Sequence, residues 1–110
     1  MDYLDRAMLY GNAETLVLAV LADRACHGYE LRKELSTRSN EEFQLALGRL
    51  YPLLRTLERH GLVTVRKAQS PLNRECREYA ITAKGLTALR ERKLKWRQFA
   101  AAMNQVLART

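Results

Sequence analysis

Seven consecutive apolar residues, Leu16 to Ala22, constrain this chain more than any other feature. Asn12, a favoured N-cap residue, and the first turn Ala13-Glu14-Thr15 place them in a helix. That helix is apolar nearly all round, and it is expected to end near Arg24. A helix without a polar side belongs in the centre of a core, with other elements against its flanks. The run is far short of the ~20 residues that span a bilayer. With 110 residues, the chain has the length of one domain built around this helix. A domain of this size buries somewhat over ~60% of its unfolded surface, enough for one core with little to spare.

Other elements follow on either side. Residues 3–10, with Tyr3, Leu4, Ala7, Met8 and Leu9, suggest a short helix before it. Cys26-His27-Gly28-Tyr29 makes a break. Glu30 to Thr37 reads as a helix with Leu31 and Leu35 on one face, followed by the polar turn Arg38-Ser39-Asn40. Phe43 and Leu45 lead into a further helix, about residues 46–60. Gly61 closes it by supplying a left-handed residue, with Leu62 packing back. Leu50, Leu53, Leu54 and Leu57 form its apolar stripe, at the i, i+3, i+4, i+7 spacing. The opposite face collects Gly48, Pro52, Arg55 and Arg59, flanked by Arg49 and Tyr51. Pro52 costs a backbone hydrogen bond inside a helix. Either the helix begins close to it, or the first turn is irregular.

Leu62 to Lys67 alternates as a strand does, and so does Cys76 to Ile81. Between them Ser70, Pro71 and Asn73 mark a turn, so the pair reads as a hairpin. Arg66, Lys67, Arg74 and Arg77 gather toward its tip. Thr82 is the expected N-cap of a last helix from Ala83 to about Ala108, about 39 Å long. Leu86, Leu89, Lys93, Trp96, Ala100, Met103 and Leu107 fall on heptad spacing, widened by Phe99 and Val106. One small core cannot absorb so much apolar surface, and a second copy of the chain is the simplest cover. The fold class expected is mainly α with a small β-hairpin: a winged helix-turn-helix over 1–82, with its wing at about 62–81, and a long C-terminal dimerisation helix over 83–110.

Charge narrows the partner. The net charge is +7, unevenly spread: residues 1–45 hold five basic and eight acidic side chains, residues 46–110 fourteen and four. A basic second part suits a polyanion, although a solvated basic surface gives the same count. An enzyme is not expected. Two histidines, three serines and no Gly-rich phosphate loop leave no nucleophile-base pairing to build on. His27 and His60 lack ligand spacing, so His27 reads as a structural histidine and no metal or cofactor is expected. Cys26 and Cys76 form no metal pair or disulfide framework and read as reduced thiols. The start of the chain, with Asp2 and Asp5, does not resemble a signal peptide, and a cytoplasmic location is expected.

Three stretches together resemble the PadR-like transcriptional regulators. The first is Leu16-Val17-Leu18-Ala19-Val20-Leu21 followed by His27-Gly28-Tyr29-Glu30-Leu31. The second is Gly48-Arg49-Leu50-Tyr51-Pro52-Leu53-Leu54, running into Leu57-Glu58 and Gly61-Leu62-Val63. The third is Arg77-Glu78-Tyr79 leading to Ile81-Thr82-Ala83-Lys84-Gly85. The resemblance implies a repressor that binds a roughly palindromic operator in double-stranded DNA as a homodimer, often released by a small molecule. It also implies that Tyr29 and Tyr51 face the phosphate backbone, that residues around Gly48 enter the major groove, and that the wing lies along the backbone or minor groove. Where the family pattern has Gly-Thr at the start of the recognition helix, this chain has Gly48-Arg49. An arginine there can read guanine bidentately.

The DNA-contacting set expected is therefore Tyr29, Gly48, Arg49, Tyr51, Arg55, Arg59, Arg74 and Arg77. Tyr51 can also serve as a cover at the core edge. The dimer set is Leu89, Trp96, Phe99, Met103, Val106 and Leu107. Trp96 reads as an interface anchor or as the wall of a pocket for a small aromatic effector. The basic run Lys84, Arg90, Arg92, Lys93, Lys95 and Arg97 reads as a solvated face. The rival function is a winged-helix module that dimerises and binds proteins instead of DNA.

Overall fold

The central helix is where the apolar run puts it. In the computed structural model, which describes residues 3–110, it is α2 (Ala13–Asp23), with Val17, Leu18, Val20 and Leu21 almost fully enclosed. Met1 and Asp2, part of the 1–82 region expected above, lie outside the described residues. Around α2 pack α1 (Tyr3–Gly11), α3 (Gly28–Arg38), β3 (Glu75–Ile81) and α5 (Ala83–Leu107). Between α3 and β3 come α4 (Leu47–Arg59) and β2 (Val63–Gln69). The result is mostly helical with one small antiparallel sheet, the winged-helix architecture with a long C-terminal helix. Among the described residues, no helix is long and apolar enough to cross a membrane.

The sheet has one strand more than the hairpin expected. Cys26–His27 forms β1, and the order is β1-β3-β2. Cys26 pairs with Tyr79 and His27 with Glu78, antiparallel. Two residues cannot display alternation, so the segment looked like a break. β2 and β3 pair from Val63↔Ile81 to Gln69↔Glu75. Cys26 is buried and Cys76 half-buried, and both are free thiols.

Asn12 occupies the N-cap position of α2, but its side chain makes no capping bond there. Its Nδ2 donates to the Met8 carbonyl at 2.7 Å, because α1 runs to Gly11 and Asn12 closes that helix instead. Pro52 lies inside α4, well past its start at Leu47. The Gly48 carbonyl therefore loses its i+4 donor, but it does so on an exposed face where water or a ligand can replace it.

α5 starts from a rivet. Thr82 Oγ1 accepts from the Gly85 N–H at 3.0 Å and donates to the Gly61 carbonyl at 2.7 Å. Gly61 itself has φ +74, the left-handed residue that ends α4. Further along, Arg92 meets Glu14 of α2 at 2.7 Å, so this arginine departs from the solvated face expected of it. Leu89 is also corrected. It is 5% exposed within its own chain, packed in the core rather than held out for a partner. Beyond Arg92, Leu94, Trp96, Phe99, Met103, Val106 and Leu107 are exposed along α5.

Replacing Thr82 by alanine removes both bonds of the rivet. The expected cost is about 1–2 kcal/mol. Thermal unfolding followed by circular dichroism should show Tm falling by roughly 4–10 °C for a chain of this size.

Candidate nucleic-acid interface

The start of α3 is built by a capping box. His27 Nδ1 accepts from the Glu30 N–H, and Glu30 Oε1 accepts from the His27 N–H, both at 3.2 Å. The structural role expected of His27 is what it performs. The His-x-x-Glu spacing was visible in the sequence, with histidine in the place usually taken by serine or threonine. Arg24 then bonds Glu30 at 3.1 Å and reaches Glu34, while Arg38 joins Glu34 to Asp23. This network fixes the end of α2 to α3. Burial alone would raise the Glu30 carboxyl, but the His27 N–H and the Arg24 guanidinium win and hold it below its ordinary value.

The connection to α4 is equally specified. Ser39 Oγ donates to the Leu35 carbonyl and accepts from the Phe43 N–H, both at 2.9 Å. Asn40 and Glu41 turn the chain with positive φ, and Leu45 is buried at 1% exposure. These anchors deliver α4 with Leu50, Leu54 and Leu57 inward. No side chain caps its first turn, since Ala46 has no oxygen to offer. The Arg49 N–H turns back onto the Ala46 carbonyl at 3.0 Å, and the Leu47 and Gly48 N–H groups ahead of it take no side-chain cap, at the positive end of the helix dipole. Nothing approaches the Gly48 Cα within Cβ range.

Gly48, Pro52, Arg55 and Arg59 share the exposed side of α4, as the periodicity predicts. Tyr51, 39% exposed, leans over Gly28, where an added Cβ would lie 2.6 Å from its hydroxyl. Glycine at 28 is what lets the ring settle there. Tyr29 follows at 66% exposure. A cleft of about 440 Å³ opens between α4 and the sheet, lined by His27, Gly28, Tyr51, Arg55, Arg77 and Tyr79. Burial raises the Tyr79 phenol, against the pull of the adjacent Arg77.

The cations divide into two groups. Arg66 makes two bonds to Glu78 across the strands, at 2.6 and 2.8 Å, and Lys67 meets Glu75 at 3.4 Å. The four-cation tip suggested by the sequence is thus half neutralised. Arg49, Arg55, Arg59, Arg74 and Arg77 have no ion pair among the described residues. Arg74 stands exposed at the hairpin turn, where Ser70 Oγ accepts from its N–H. Arg49 lies on the flank away from Tyr51, with its guanidinium carbon 4.3 Å from the centre of the Tyr10 ring. Nothing in the sequence pointed to Tyr10.

A second, larger hollow of about 840 Å³ lies between α1, α2 and α5. Met8, Leu16, Phe43 and Trp96 line it together with the charged Lys93 and Glu42. Trp96 is 49% exposed, and its ring lies 6.1 Å from that of Phe99.

The sequence profile of the Transcriptional regulator PadR-like family matches residues 17–91. A solved PadR-like transcriptional regulator from Bacillus cereus is 30% identical, with a TM-score of 0.79 over 92% of this chain and 96% of its own. A PadR family transcription regulator from Clostridium difficile is also 30% identical, with a TM-score of 0.75 over 87% and 98%. A transcriptional regulator from Clostridium thermocellum, at 20% identity, shares the fold with a TM-score of 0.82 over 90% and 96%.

The capping network carries a pH dependence. A carboxyl lowered by folding stabilises fully above its unfolded value and loses that contribution as pH falls through its folded value. Glu30→Gln should therefore melt below the wild type at neutral pH. The gap should close as pH drops from about 5 to about 3, read as Tm against pH.

Proposed function

Since the chain belongs to the PadR-like family of transcriptional regulators, we propose that it binds double-stranded DNA sequence-specifically as a homodimer and represses transcription from a palindromic operator. One observation carries this reading. The uncapped start of α4, the unpaired cations on its outer side and the unpaired cations of β3 and its turn face solvent, while cations elsewhere in the sheet are neutralised. Exposed N–H groups and guanidinium groups without a carboxylate partner are what a phosphate backbone engages.

In this reading α4 is the recognition helix and β2–β3 the wing of a DNA-binding region over 1–82. Gly48 allows close approach to the groove, and Arg49 reads a base. Tyr29, Tyr51, Arg55 and Arg59 position the helix on phosphates, and Arg74 and Arg77 do the same from the wing. Residues 83–110 form the dimerisation helix, with Trp96, Phe99, Met103, Val106 and Leu107 meeting a second copy. Their exposure on a helix that leaves its own core behind supports this. Trp96 and the apolar hollow beside it suit a small flat aromatic effector that releases the protein from DNA. The protein acts in the cytoplasm.

Fluorescence anisotropy on the duplex upstream of its own gene, at two salt concentrations and with competitor DNA, tests the proposal. Competitor-resistant binding is expected. Log affinity should fall with log salt at roughly −0.9 per phosphate neutralised, and Arg55→Ala should flatten that slope by about one contact. Binding to any duplex without sequence preference would place the operator elsewhere. No binding to any duplex at low salt would favour the protein-binding module.

A further inference from the structure

The one arginine stacked on a ring among the described residues is the one at the tip of the recognition helix. Arg49 lies over Tyr10, 4.3 Å from its centroid. The ring is a fixed platform. Tyr10 is partly buried and packed against the core, Leu9 beside it is 2% exposed, and Asn12 ties back to the Met8 carbonyl. Arg49 by contrast is exposed and has no ion pair among the described residues. Tyr10 is therefore the surface against which the Arg49 guanidinium rests.

A guanidinium carries its N–H groups in its plane. Stacking uses a face, which has none, and leaves the donor fork free. A free arginine must give up rotamer entropy before it can engage a base edge, and a stacked one has already given up part of it.

We propose that Tyr10 is a positioning residue for DNA recognition, holding Arg49 pre-ordered so that its donor fork pairs with a guanine in the major groove. The proposal rests on α4 being the recognition helix with Arg49 at a base. It gives α1, a helix outside the helix-turn-helix, a part in sequence specificity.

Selection of the full-length protein on a random duplex library supplies a preferred site. Wild type, Arg49→Ala, Tyr10→Leu, Tyr10→Phe and the Tyr10→Leu/Arg49→Ala pair are then titrated on that site and its single-base variants. Arg49→Ala should cost tenfold or more in preference at one guanine, on the order expected for a bidentate pair. Tyr10→Leu should lower preference at that same guanine by about two- to fivefold, the worth of an exposed cation–π contact. Tyr10→Phe should keep the preference, and Tyr10→Leu should add nothing once Arg49 is gone. Thermal melts accompany each variant, and Tyr10→Met replaces Tyr10→Leu if the latter does not fold. Unchanged preference at the guanine in Tyr10→Leu, or an even loss at every position, overturns the role of Tyr10 alone. If Arg49→Ala leaves every base preference intact, Arg49 reads no base and the proposal falls with that reading.

Discussion

A helix with no polar side cannot rest on a surface, and α2 is such a helix. Its Val17, Leu18, Val20 and Leu21 must be covered from several directions at once. The chain meets that demand with α1, α3, β3 and α5, which leaves α4 to close the core from outside through Leu50, Leu54 and Leu57. An amphipathic helix in that position has to turn its other side to solvent. The display of Gly48, Arg55 and Arg59 is thus a consequence of how α2 is buried.

Apolar burial is non-directional, so polar side chains at element ends set the angles. His27 and Glu30 start α3, Ser39 ends it, and Thr82 ties α5 to the end of α4. Each satisfies backbone groups that a helix end leaves open. The start of α4 differs from those of α3 and α5, which side chains cap, and shares the lack of a side-chain cap with α2. The same contrast separates Arg66 and Lys67, held by carboxylates, from Arg55, Arg74 and Arg77. Interior order and an open surface are both visible in where the polar partners go.

Much of this was legible in the sequence because it depends on local periodicity. The all-apolar helix, the two faces of α4, the hairpin and the long last helix follow from residue spacing. What escaped depends on distant pairing. β1 is too short to show a period and exists only because β3 runs beside it. The neutralisation of Arg66 needs the strand register that sets it opposite Glu78. Leu89 falls on the same heptad stripe as Trp96, yet it is buried in this chain's own core while Leu86 and the positions beyond Arg92 are exposed. The contact of Tyr10 with Arg49 joins positions with no common pattern.

In the proposed function, two copies present α4 to successive major grooves, with α5 joining them. Hydroxyl-radical footprinting on the selected duplex tests that picture directly. The account predicts two equivalent protected half-sites, centred one helical turn or a small multiple of it apart, about 34 Å per turn. A Phe99→Glu variant, altered at an exposed position of α5, should lose both together at the same protein concentration. A single protected half-site, unaffected by that substitution, would contradict it.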